Sequence, residues 1–148
     1  MATTNNYVAQ SMKTVKFALF ISTLLFGSML YAASLQDLSG TYKCIIDDKH
    51  DGVFTVTDIF TRDKHHSTDK VAGYTVMMLD DQNKPSKYFG FASFDGKSLS
   101  MYSDSTETGS NDYAIIVAEL TKTGFDTHYY QPTYNGGNTG SAACLKIK

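Results

Sequence analysis

The sequence predicts an all-β domain: a single closed, antiparallel, eight-stranded up-and-down β-barrel behind an N-terminal signal peptide. Three observations predict it. Beyond residue 34, short β-prone runs recur between clusters of Gly, Asp, Asn and Ser, with little trace of a 3.6-residue period. Eight such runs can be drawn, joined by mostly short connections, and a meander of that kind exposes two sheet edges unless it closes on itself. The two cysteines, Cys44 and Cys144, fall on the first and last runs. A bridge between them needs Cα atoms within about 7 Å, and closure brings those two runs side by side.

The leader precedes all of this. Met12-Lys13-Thr14-Val15-Lys16 is basic, Phe17 to Leu30 is almost wholly apolar, and Tyr31-Ala32-Ala33 follows. A basic start, a short apolar stretch and small residues at its end form a secretory signal. The apolar stretch is shorter than the roughly 20 residues of a spanning helix. Cleavage after Ala32 or Ala33 divides the chain into a signal peptide, 1–33, and a barrel domain, 34–148. No Cys stands directly after the apolar stretch, which disfavours a lipid anchor. The expected location is periplasmic or extracellular, with no membrane association after cleavage. In an oxidising compartment Cys44 and Cys144 pair. A loop of about 100 residues closed this way is stabilised by roughly 4–5 kcal/mol before native strain.

The runs follow in order. Thr41 to Ile46 is the first. Val53 to Thr61 is the second, with Phe54, Val56 and Phe60 on one face and Thr55, Thr57 and Thr61 on the other. Val71 to Leu79 is the third, rich in β-branched and aromatic residues. Tyr88 to Phe94 and Lys97 to Ser103 are the fourth and fifth, with Asp95-Gly96 between them read as a type I′ hairpin turn. Asp112 to Leu120 is the sixth. Thr121-Lys122-Thr123-Gly124 turns it into Phe125 to Tyr130, and Ala142 to Ile147 is the last.

Composition removes several function classes. With 13 basic against 15 acidic residues in 148, the chain lacks the basic face that nucleic acid requires. Two Cys and two Pro exclude a disulfide-dense toxin and a Pro-rich linker. A hydrophobic content of 42% is too high for a disordered chain.

Leu38-Ser39-Gly40-Thr41-Tyr42 resembles the Gly-x-Trp opening of lipocalin-like and avidin-like (calycin) barrels. The resemblance implies an eight-stranded barrel over residues 38–148, with Tyr42 standing in for the Trp that plugs the barrel end. The chain contains no Trp, whereas avidin-like proteins wall their biotin site with several, so biotin is not implied. A looser similarity joins the chain to small periplasmic lysozyme inhibitors, which are also exported eight-stranded barrels with a disulfide. Thr139-Gly140-Ser141-Ala142 echoes their Ser- and Gly-rich inhibitory loop.

The candidate sites are two. The first is the segment from Tyr129 to Gly140, with three Tyr in six residues and then a Gly- and Asn-rich stretch. Tyr offers a rigid apolar face and a hydroxyl that donates or accepts, and loops carry function. Tyr129 and Tyr130 point to opposite faces, one core and one surface. Tyr130, Tyr134, Asn135 and Asn138 are the residues taken for binding, together with Tyr42 and Asp58. The second site is the barrel interior, where Met77, Met78 and Met101 are adaptable apolar fillers. Asp58 shares a face with Phe54, Val56 and Phe60. It either orients a ligand inside or marks where that face emerges into water, and the second reading is preferred because buried unpaired acids are rare.

Other chemistry finds little support. His65 and His66 are adjacent, so they face opposite sides within a charged loop, and no His-Glu-x-x-His or Cys-x-x-Cys is present. Asp47 to Gly52 lacks calcium-loop spacing and reads as a hairpin turn. No nucleophile elbow or phosphate loop occurs, and nothing pairs Glu107 or Glu119 with a second carboxylate across a cleft. The expectation is an exported, non-catalytic binding protein without cofactor or metal. It takes a small apolar molecule in the barrel, or a secreted protein partner at its aromatic loop end. The alternatives are an inhibitor of a secreted enzyme such as lysozyme and, third, an enzyme of unknown reaction.

Overall fold

The computed structural model describes residues 35–107 and 111–148, and the signal peptide assigned to residues 1–33 lies outside them. All eight anticipated strands form: β1 (Gly40–Asp48), β2 (Gly52–Asp63), β3 (Ala72–Leu79), β4 (Pro85–Phe94), β5 (Leu99–Ser105), β6 (Tyr113–Leu120), β7 (Gly124–Gln131) and β8 (Asn138–Lys146). Each pairs antiparallel with the next, and β8 returns to β1, so the barrel closes. Cys44 lies directly opposite Cys144 across that seam. Their Cα atoms are 4.0 Å apart and their sulfurs are bonded.

The alternation of side chains across each strand sorts the residues. On β1, Tyr42, Cys44 and Asp48 are buried while Lys43, Ile45 and Asp47 are exposed, the period of two that one core-facing surface demands. One end of the barrel is packed solid. Tyr42, Phe60 and Phe125 meet there with ring centroids 4.9 to 5.5 Å apart, and Tyr74 joins at 6.0 Å from Phe60. The lead-in before β1 crosses this end and is pinned by two hydroxyls. Tyr42 donates to the Leu38 carbonyl at 2.7 Å, and the Leu38 N–H donates to the Tyr74 hydroxyl at 3.0 Å. Both backbone groups of a buried residue are thereby satisfied.

Aspartates shape the turns. Asp48, Asp63, Asp80 and Asp95 each stand at a strand end or just beyond it, and each accepts backbone N–H groups from two or more residues on. Asp95 therefore corrects the type I′ expectation. That turn needs positive φ at both central residues, and only Gly96 has it. The connection is instead the four residues Asp95–Ser98, with the Asp95 carboxylate holding the N–H groups of Lys97 and Ser98.

A second correction concerns β8, which begins at Asn138 rather than Ala142. Gly140 lies within it. Its missing side chain leaves room for the Tyr129 ring, which a Cβ there would overlap. The Gly- and Asn-rich loop therefore shrinks to residues 132–137, with a 3₁₀ turn at Tyr134–Gly136.

Candidate functional site

The barrel is not filled to its other end. A cavity of about 490 Å³ opens among the loops that follow β1, β3 and β7. Its lower wall is apolar, formed by Met78, Met101, Ile116, Phe125 and the Cys44–Cys144 bridge. Ser103 and Thr127, both buried, add two hydroxyls to it.

Asp58 stands low in this wall. It pairs across β1 with the floor residue Tyr42 and is four residues below Phe54 at the mouth, roughly 13 Å along the strand at about 3.3 Å per residue. Only 6% of it is exposed, so the expectation that this face emerges into water at Asp58 is overturned. The strand continues inward past it to Phe60. The Asp58 Oδ1 atom has no hydrogen-bond partner. Its Oδ2 lies 3.6 Å from Cys44 Sγ, but a bridged sulfur carries no hydrogen to give. Burial without compensation pushes this carboxyl up to about 7. Cys44, Asp58 and Cys144 place ligand-type atoms within 4.8 Å of one another. With both sulfurs bonded to each other, only the carboxylate retains ligating capacity.

The mouth has a repeated construction. Tyr129 donates its hydroxyl to Asp48, Tyr88 to Asp112 and Tyr134 to Asp51, the last at 3.1 Å. Asp48 also accepts from Asn138 Nδ2 at 2.7 Å and from the N–H groups of His50 and Asp51. Burial alone pushes the Asp48 carboxyl up, but these donors outweigh it and hold it below the usual value. Tyr88 and Tyr129 move the opposite way. Burial first, and then the acidic partner, pushes each phenol well above its ordinary range. Three aromatic faces are thus fixed around the opening by their own hydroxyls. Asp48, Asp51, Asp80 and Asp81 line it against a single lysine, Lys87.

The anticipated residues divide. Tyr134 and Asp58 line the cavity. Asn138, fully buried, braces the mouth through Asp48 and Gln131. Asn135 is exposed and serves the turn with a positive φ of 48°. Tyr42 belongs to the floor and borders a smaller hollow at the closed end. Tyr130 lies on the outer wall. There it continues a cross-strand row of exposed side chains with Ile115, Tyr102 and Phe91.

Tyr88, Asp48 and Asp51 are not among the sequence candidates, and Tyr129 lies in the candidate segment without being one of the residues taken for binding. Counting by twos from Phe125 puts Tyr129 rather than Tyr130 on the inner face, a signal that lay in the sequence. The Tyr–Asp pairs join residues 24 to 83 positions apart, and only the folded barrel brings them together. The sequence matches no known protein family and no curated relative.

Proposed function

We propose that this is an exported, non-catalytic binding protein of calycin-like build that holds a small, largely apolar molecule in its barrel. The cavity carries the reading. It is sealed at one end by an aromatic floor and open at the other, and its volume of about 490 Å³ lies within the ~300–1,000 Å³ of small-molecule sites. Its apolar lower wall, with a few polar groups to orient a guest, is the usual composition of such a site. Residues 1–33 act as the export signal, and the Cys44–Cys144 bridge suits the oxidising compartment beyond it. Among the described residues no helix is long and apolar enough to cross a membrane.

An inhibitor of a secreted enzyme calls for a protruding loop. Residues 132–137 are instead tied down, through Tyr134 to Asp51 and through Thr133 Oγ1 to the Asn111 carbonyl at 2.6 Å. That favours binding within the barrel.

Nile red, an uncharged apolar dye, tests the proposal. The oxidised protein is expected to raise its emission saturably at micromolar concentrations. Ala142→Phe and Ala114→Phe each place a ring in the cavity and are expected to abolish the signal. No enhancement with the native protein, or full enhancement with both folded variants, refutes the cavity as the site.

A further inference from the structure

We infer that the molecule this barrel holds is an amine, carried on an apolar body, whose ammonium group reaches Asp58 at the base of the cavity. The inference rests on the cavity being a ligand site and names the chemistry of its guest.

Three features converge on it. Asp58 is a carboxyl with an unpartnered oxygen, nine-tenths buried, in a wall whose other polar groups are the hydroxyls of Ser103 and Thr127. Such a group is costly unless something pairs with it. Among the described residues no cation does: the one basic side chain of these that lines the cavity, Lys87, belongs to the mouth, where its Nζ lies 3.8 Å from Asp112. A guest that brings its own hydrogen-bond-donating cation completes the site.

The path to Asp58 has the same sign. Asp48, Asp51, Asp80 and Asp81 ring the opening, and charge of one sign in a cleft with low-dielectric walls concentrates the opposite sign there. The ring also includes Tyr88, Tyr129 and Tyr134, and aromatic faces attract ammonium groups. A fatty acid, by contrast, meets repulsion at the mouth and a second carboxyl at the base. Around Asp58, the apolar side chains Met78, Met101, Ile116 and Phe125 line the same cavity and offer contact to a hydrocarbon body.

Titration calorimetry with n-octylamine, octan-1-ol and octanoate on the oxidised protein at pH 7.5 separates the possibilities without any mutation. These guests share a tail and differ in the head. The amine is expected to bind at least about tenfold more tightly than the alcohol, the worth of one hydrogen bond to a charged group. Octanoate is expected to bind more weakly than either. Asp58→Asn is expected to bring octylamine down to the level of octanol and leave octanol unchanged. Asp81→Asn, at the exposed rim, is expected to change the octylamine affinity far less.

Equal binding of amine and alcohol, or a preference for octanoate, overturns the amine while Nile red still reports a working cavity. Retained amine preference in Asp58→Asn overturns the assignment to Asp58. Failure of all three guests together with a silent Nile red titration overturns the binding function itself.

Discussion

Replacing Asp58 by Asn tests the energetics of the cavity directly. In the folded barrel the Asp58 carboxyl keeps its proton up to about pH 7, whereas the unperturbed group releases it near 3.8. Between those values the native state binds a proton that the unfolded chain lacks, so stability falls as pH rises. The contribution is whole below about pH 4 and is lost as pH passes through about 7. A displacement of about three pK units at ~1.4 kcal/mol each amounts to roughly 4 kcal/mol. Asn has the same shape and does not ionise, so the variant escapes this loss.

The measurement is urea unfolding of both oxidised proteins at intervals from pH 4 to pH 8. At the acidic end the variant is expected to be equal or weaker by about 1–3 kcal/mol, since its amide is also short of partners. At the alkaline end the balance is expected to have moved in its favour by roughly 4 kcal/mol. Groups that titrate alike in both proteins cancel in the difference. A difference that stays flat across this range refutes the claim that Asp58 is buried and unpaired.

The mouth and the seam give further expectations. Replacing Cys44 and Cys144 together by Ala is expected to cost on the order of 4–5 kcal/mol in equilibrium unfolding, because the bridge closes a separation of 100 residues. Tyr129→Phe removes one donor from Asp48 and is expected to cost about 1–2 kcal/mol at neutral pH, with the deficit shrinking in acid as Asp48 takes up a proton. Gly140→Ala puts a methyl group into the Tyr129 ring. It is expected to lower stability by about 1–3 kcal/mol and to weaken Nile red binding as that ring is displaced.

The fold was legible because its signals are local and repeated. Alternation on β2, the turn clusters and the two cysteines each depend on nearby residues or on a single covalent fact, and together they fix strand number, order and closure. What escaped was set by register and by contacts between distant loops. The sequence puts Tyr129 and Tyr130 on opposite faces without saying which is inner; Tyr129 lines the cavity and Tyr130 lies outside, and one residue is enough to exchange the two faces. The sequence favours a place near water for Asp58 because a buried acid is costly. The cost is present in the structure, as a raised carboxyl and an orphan oxygen. By sequence Asn138 reads as a loop residue, because Asn and Gly usually signal one, yet it opens β8. Gly140 is in the strand instead, making room for a ring across the interface with β7.

The two ends of the barrel use tyrosine to opposite effect, and this bears on the direction in which the proposed guest would enter. At the floor, the hydroxyls of Tyr42 and Tyr74 meet the backbone of Leu38 and make a neutral seal. At the mouth, the hydroxyls of Tyr88, Tyr129 and Tyr134 meet carboxylates and leave an acidic ring. The proposed amine is therefore expected to enter head first, drawn by the ring and then by Asp58, with its tail trailing up an apolar wall roughly 13 Å long as measured along β2. A series of n-alkylamines checks that orientation. Each added methylene buries about 0.8 kcal/mol of apolar surface, so affinity is expected to climb about fourfold per carbon while the tail lies along that wall. It is expected to level off once the tail passes Phe54 and reaches the acidic rim. A tail-first guest places its head at the rim and fills the base with hydrocarbon. In that arrangement Asp58→Leu strengthens long amines instead of weakening them, an outcome that removes the head-first arrangement.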